Sequence, residues 1–219
     1  MPTPTIHGEV APGFEAVRDA FAENFAQNRE IGAALSVFHH GRPVVHLWGG
    51  LRDREANAPW QEDTLALVFS TTKGLASLTL ALAHSRGWLD YDCLVSDYWP
   101  EFAQQGKERI TVRQLLSHQA GLSAIEGATL DYATLHDLDA LADILARQKP
   151  AWEPGTRNGY HALTFGFYEN ELFRRIDPQH RSLGRFFQEE IARPLGAEFY
   201  IGLPPEIPLE RITKQYYPP

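Results

Sequence analysis

The chain is poor in the residues that would give it a covalent or metal-bound frame. Cys93 is the single cysteine among 219 residues, so an intramolecular disulfide framework and a multi-cysteine metal site are both excluded. Such sparing use fits a reducing compartment, and a cytoplasmic location is the expectation. Basic charge is also in deficit: 20 Lys and Arg face 28 Asp and Glu, a net charge of -8, and no local basic run offsets it. Phosphate backbones and anionic lipid are repelled by that balance, so neither nucleic acid nor a membrane is an expected partner. No apolar run approaches the roughly 18 residues that span a bilayer, and the opening Met-Pro-Thr-Pro-Thr-Ile-His lacks the basic and apolar regions of a signal segment. A phosphate-cradling Gly-rich loop followed by Lys is missing, as is His-Glu-x-x-His, which leaves no cofactor or metal expected. His39, His40 and His46 fall in a hairpin pattern and not a metal cluster, and Asp90, Asp92 and Asp97 lack the Gly and Glu of a calcium loop and read as turn and cap residues.

What is present is globular. Hydrophobic residues make up 43% and charged residues 22%, enough for a buried core. Phe14, Val17, Phe21 and Phe25 recur at helical spacing after Pro12 and predict an amphipathic helix ending near Asn28. Ile31 to Phe38 and Val44 to Trp48, separated by His40-Gly41-Arg42-Pro43, predict a β-hairpin. From Thr71 the pattern turns helical through Leu75, Leu78 and Leu82, with further helices expected at 111–117, 137–147, 159–176 and 182–192. Five prolines in the last sixteen residues (Pro204, Pro205, Pro208, Pro218, Pro219) predict an extended segment that closes nothing. The expected organisation is a helix and hairpin over residues 1–70, a mainly helical domain over 71–198 and a Pro-rich tail over 199–219. A lone hairpin is marginal in water and has open edges. Either another chain or a second copy completes the sheet, or the helical part carries the stability.

Ser70-Thr71-Thr72-Lys73 places a Ser-x-x-Lys where a helix should begin. One helical turn puts positions i and i+3 on one face, so the hydroxyl and the amine come within hydrogen-bond reach, the geometry in which an amine activates a serine nucleophile. The competing reading is an N-cap serine beside a solvated lysine. The chain uses 16 Arg against 4 Lys, yet this position holds the one of the two that burial can neutralise and so turn into a base. Tyr160 follows the turn Pro154-Gly155-Thr156, where a phenol either packs or relays protons. His118, in Leu115-Leu116-Ser117-His118-Gln119-Ala120-Gly121-Leu122, reads as a structural histidine bonded to loop backbone at a helix end. Gly121-Leu122-Ser123-Ala124-Ile125 lacks the final glycine of a nucleophile elbow, which argues against an α/β-hydrolase. Cys93 and His161 receive no role.

In this order, these three elements resemble the serine β-lactamase-like family, and most closely the class C-related (family VIII) carboxylesterases. Gly87-Trp88-Leu89-Asp90 and Leu94-Val95-Ser96-Asp97-Tyr98-Trp99-Pro100-Glu101-Phe102 carry the likeness between them, over nearly the whole chain. The resemblance implies a β-lactamase-like (transpeptidase-like) fold, α/β plus all-α, in which Ser70 is the nucleophile, Lys73 its base and Tyr160 the shuttle to the leaving group. An acyl-enzyme would form on Ser70, and the Ser70 N–H would hold part of the oxyanion, an interaction worth about 3 kcal/mol per donor. Two departures matter. Ala162 stands where class C β-lactamases carry an Asn that meets the substrate amide, which favours small carboxylic esters over lactams. No Lys-Thr-Gly, His-x-Gly or Trp-x-Gly triplet follows Tyr160, so the C-terminal strands of the sheet are expected to be lacking and the isolated chain to be incomplete. The alternatives are a truncated, non-catalytic relative serving binding or assembly, and a β-lactamase or D-amino-acid peptidase.

Overall fold

A computed structural model describes residues 4–27 and 29–216. The helix end expected near Asn28, the opening Met1 to Thr3, and Pro218 and Pro219 of the tail lie outside the described residues. The chain divides into two compact units, Met1–Leu67 with Pro205–Pro219, and Val68–Pro204.

In the first unit, β1 (Ile6–Val10), β2 (Gly32–His39) and β3 (Arg42–Asp53) form an antiparallel sheet in the order β1-β3-β2, with the short β4 (Ala58–Pro59) also paired to β3. The expected hairpin is β2–β3, turned at His40 and Gly41 with φ of 49° and 74°, the left-handed pair that suits the strand twist. β1 was not foreseen: Ile6-His7-Gly8-Glu9-Val10 is short and alternates, and its pairing to β3 from Ile6↔Gly49 to Val10↔Val45 is a long-range choice. α1 (Glu15–Gln27) lays the predicted Phe14, Val17, Phe21, Phe25 stripe against Val45 and Leu47 of β3, where Phe21 and Phe25 meet edge-to-face at 5.5 Å. The Pro-rich tail is extended, as its composition dictates, but it is tied down. Leu65 donates to Arg211 O (2.7 Å), Thr213 to Leu65 O (2.9 Å) and Lys214 to Arg52 O (2.9 Å), while the Lys214 ammonium meets Asp53 and Glu55 at 2.9 Å each. A segment read as closing nothing therefore supplies backbone partners that the composition could not reveal.

The second unit is helical: α2 (Thr71–Ser85), α3 (Val95–Tyr98), α4 (Val112–Leu116), α5 (Tyr132–His136), α6 (Leu138–Arg147), α7 (Thr164–Ile176) and α8 (Leu183–Phe187). Its core gathers Leu80, Trp99, Phe102, Leu115, Leu145, Tyr168, Phe173 and Phe186, all at most 1% exposed. On α2 the inward face is Ala76, Thr79, Leu80 and Ala83, whereas Leu78 of the expected leucine row is 49% exposed. Small residues at the contact let α2 lie close to its neighbours, a packing preference that hydrophobicity alone does not signal. α7 begins five residues later than expected, because 159–163 is held as a loop by bonds described below. Two of the three aspartates behave as expected, Asp97 accepting the Leu94 amide (3.0 Å) and Asp90 the Asp92 amide (2.9 Å), whereas the Asp92 carboxylate accepts from Arg113 Nε (2.8 Å). Among the described residues no helix is long and apolar enough to cross a membrane, and no group of three or more His, Cys, Asp or Glu could hold a metal ion.

Candidate active site

Ser70 occupies the N-cap position of α2 with φ −73° and ψ −6°, and its side chain makes no capping hydrogen bond. The hydroxyl is engaged elsewhere. Its Oγ accepts from Lys73 Nζ at 3.2 Å and from the Tyr160 hydroxyl at 2.5 Å, and Lys73 Nζ also donates to Ala162 O at 2.8 Å. Ser70 thus sits at the N-cap position without capping: one helical turn brings Lys73 over Ser70, and a residue 90 positions away closes the cluster. With two donors on one oxygen, the arrangement suits an Oγ that carries negative charge. For Ser70 to give up its own proton, Lys73 or Tyr160 must first be deprotonated. The Ser70 hydrogen bond, and then the Lys73 charge, lower the proton affinity of the Tyr160 phenol below its ordinary value. Lys73 Nζ lies 5.1 Å from the Tyr160 ring centroid, so the ring face adds to that cation's environment.

Phe69, just before Ser70, has φ of 45°, in the left-handed region that bulky residues rarely adopt. The same sharp entry lets Thr71 and Thr72 donate to Val68 O and Phe69 O (3.1 Å each), which starts α2 at the serine. Strained backbone of this kind persists where the surroundings over-determine it, most often at functional positions.

Tyr160 is presented by two loops stapled together. Asn158 Nδ2 donates to Ser117 O (2.6 Å), Gly159 N to His118 O (3.0 Å), His161 N to His118 Nδ1 (3.2 Å), and Thr164 Oγ1 to Leu122 O (2.6 Å). At the centre is His161, fully buried, whose Nε2 accepts the Leu122 N–H at 2.8 Å. That contact fixes the tautomer, so Nδ1 carries the proton and donates to Gly159 O at 2.6 Å. Burial depresses the proton affinity of both His161 and His118 below the ordinary histidine value. His118 meets the Tyr160 ring edge-to-face at 5.0 Å and the Phe165 ring at 4.3 Å. It has the backbone-bonding role expected of it, while His161, given no role from the sequence, is the pillar beneath Tyr160. Gly159 is required there by space: a Cβ would lie 2.4 Å from the Trp152 ring.

Ser70, Lys73 and Tyr160 are thus brought together, and Cys93 stays outside this cluster. Sequence reasoning also missed Glu169 of α7, buried at 1% exposure. Its signal was a carboxylate at four-residue spacing from Phe165 and Phe173, on one face of α7.

The sequence pattern of the Beta-lactamase family matches residues 17–215. Over 214 residues the chain is 37% identical to the esterase/beta-lactamase LipL of Mycobacterium tuberculosis, covering 97% of this chain and 49% of that protein. Among solved structures, a family VIII carboxylesterase superposes with a TM-score of 0.89 at 45% identity, covering 97% of this chain and 57% of the other. A penicillin-binding protein homologue from Caulobacter crescentus superposes with a TM-score of 0.88 at 43% identity, over 98% and 57%. The chain spans about half of LipL and 37% of the esterase EstB of Burkholderia gladioli, to which it is 34% identical over 145 residues.

Proposed function

Since the chain belongs to the Beta-lactamase family, we propose that it carries the nucleophile, base and proton shuttle of a serine hydrolase that cleaves small carboxylic esters. Lys73, as the free amine, takes the Ser70 proton while Oγ attacks the ester carbonyl. The carbonyl electron pair moves to oxygen, and the α2 N-terminus and the Ser70 N–H oppose that charge. On collapse, the bond to the alkoxide breaks and the proton passes from Lys73 through the Tyr160 hydroxyl to the departing alcohol. Water then attacks the acyl-enzyme, surrendering a proton to the same pair, and releases the acid and Ser70. The observation that carries this reading is the convergence of Lys73 Nζ and the Tyr160 hydroxyl on one Ser70 oxygen.

Ester preference is supported by Ala162, which offers a backbone carbonyl to Lys73 and no side-chain amide for a lactam, a loss worth roughly 1–3 kcal/mol to an amide-bearing substrate. The esterase names of its relatives point the same way. The proposed partner, besides the ester, is further strand-forming sequence, on a second chain or another copy, that would extend the sheet. β2 is an edge strand whose Gly32–His39 contains neither Lys nor Pro to blunt it. A cytoplasmic location is proposed on the sparing use of cysteine. The likeness to the penicillin-binding protein homologue keeps a second reading, a β-lactam or D-amino-acid peptide substrate, which a substrate panel separates from esters.

The deciding test is intact mass after exposure to a fluorophosphonate. A single adduct on Ser70, absent in Ser70→Ala and nearly absent in Lys73→Ala, is the expected result. Equal labelling of Ser70→Ala refutes the assignment, and no adduct on folded wild-type protein favours a non-catalytic chain serving binding or assembly.

A further inference from the structure

Leu122, 1% exposed, commits both of its backbone polar groups to one short segment. Its N–H donates to His161 Nε2 at 2.8 Å, and its carbonyl accepts from Thr164 Oγ1 at 2.6 Å. Between those two anchors lie Ala162 and Leu163, and the Ala162 carbonyl receives Lys73 Nζ at 2.8 Å. The late start of α7 keeps that carbonyl free. In an α-helix the carbonyl of residue i accepts the amide of residue i+4, so a helix begun one turn earlier, as the sequence period suggests, would commit Ala162 O to the Gly166 amide. Instead the N-cap is Leu163, which has no side-chain oxygen to cap with and is 80% exposed. Thr164, the first residue of α7 and itself buried, directs its hydroxyl across to Leu122.

We infer that Thr164 is a positioning residue for the proposed hydrolysis: its hydroxyl, through Leu122, fixes the Ala162 carbonyl that orients the Lys73 amine on Ser70. The inference rests on the reading of Lys73 as base. A free amine carries two N–H bonds and one lone pair, and Nζ faces Ala162 O at 2.8 Å and Ser70 Oγ at 3.2 Å. A carbonyl oxygen has no proton to offer, so it takes an N–H and excludes the lone pair from its side. The lone pair is left for the hydroxyl side, where Ser70 carries the proton to be taken. After the transfer the ammonium still donates to Ala162 O, so Nζ keeps its place in both protonation states while the carbonyl itself exchanges no proton. Valine at 164 keeps the shape of threonine but leaves Leu122 O without that donor. The His161 end of the segment is then still held and the Thr164 end is released, which shifts Ala162 O relative to Nζ. A misplacement of about 1 Å at a group that orients a reactant costs up to about 100-fold in rate.

The test compares Thr164→Val with Thr164→Ser, which keeps the hydroxyl. With a fluorophosphonate as probe, the maximal rate of Ser70 labelling should fall about 10–100-fold in Thr164→Val, with the probe concentration for half-maximal rate unchanged, and Thr164→Ser should stay within about threefold of wild type. A variant that is only less stable would label at the wild-type rate in its folded fraction. Wild-type labelling in Thr164→Val, or an equal fall in Thr164→Ser, overturns the inference. A second measurement needs no catalysis. In protein labelled at lysine 13Cε, with Lys73→Arg assigning the Lys73 signal, NMR relaxation gives the order parameter of the Lys73 side chain, which should drop in Thr164→Val and hold in Thr164→Ser. An unchanged order parameter in Thr164→Val overturns the inference even where labelling slows. Should Thr164→Val fail to fold, Thr164→Ala replaces it in both measurements. Absence of labelling in wild type refutes the hydrolase reading, and the relaxation comparison still decides whether the Thr164 hydroxyl anchors Lys73.

Discussion

His161 makes the loop under Tyr160 sensitive to acid, and the sign follows from its contacts. Its Nε2 accepts the Leu122 N–H at 2.8 Å, so protonation there sets two donors against each other in a site with no exposure. Burial holds its folded proton affinity below the ordinary 6.5. Between 6.5 and the folded value, the unfolded chain binds a proton that the native chain does not. Stability therefore rises with pH in that window: the contribution is complete above 6.5 and is lost as pH falls through the folded value. Each such group contributes a slope of up to about 1.4 kcal/mol per pH unit, and His118, depressed in the same direction, adds a second. His161→Gln retains an acceptor and removes the titration, so it should lower stability at pH 7.5 by only about 1 kcal/mol. His161→Ala leaves the Leu122 N–H and Gly159 O unpaired and opens a cavity, at a cost of about 3–5 kcal/mol. Urea unfolding followed by tryptophan fluorescence at pH 7.5, 6.5 and 5.5 measures all three proteins. The wild type should lose stability more steeply than His161→Gln on acidification, and parallel losses in the two would refute the reasoning.

Other outcomes follow from single contacts. Tyr160→Phe removes the hydroxyl 2.5 Å from Ser70 Oγ on a half-exposed ring, so fluorophosphonate labelling should slow by about 100-fold with the circular dichroism unchanged. Lys107, fully buried, donates to Gln104 O (2.8 Å), Ala146 O (2.8 Å) and Gln148 O (2.6 Å), and burial pushes it down to about 8. Lys107→Met strands those carbonyls and should cost about 3–5 kcal/mol in urea unfolding, whereas a loss below about 1 kcal/mol would show that the chain rehydrates them. Gly159→Ala forces a methyl against the Trp152 ring and should cost about 1–3 kcal/mol while slowing Ser70 labelling, because the displaced loop carries Tyr160.

Local physics left a readable trace wherever it governed the outcome. The α1 stripe follows from a 3.6-residue period and the β2–β3 turn from His40-Gly41, and the Ser70–Lys73 contact follows from helix pitch. Order and spacing of three motifs were sufficient to name the family. Long-range pairing left no such trace. β1 is five residues whose strand state exists through β3, and the Pro-rich tail reads as loose until Leu65 and Arg52 receive its backbone. The five residues 159–163 carry a helical pattern, but they stay a loop because His118 and Leu122 offer their polar groups bonds that a helix would forgo. Tyr160 could be suspected from its turn, but its contact with Ser70 spans 90 residues and depends on how α2 and two stapled loops pack. Glu169 was invisible for the same reason. Helical periodicity places a residue on a face, and only packing settles whether a carboxyl there finds two arginines, as Glu171 does, or only the Ser77 hydroxyl, as Glu169 does.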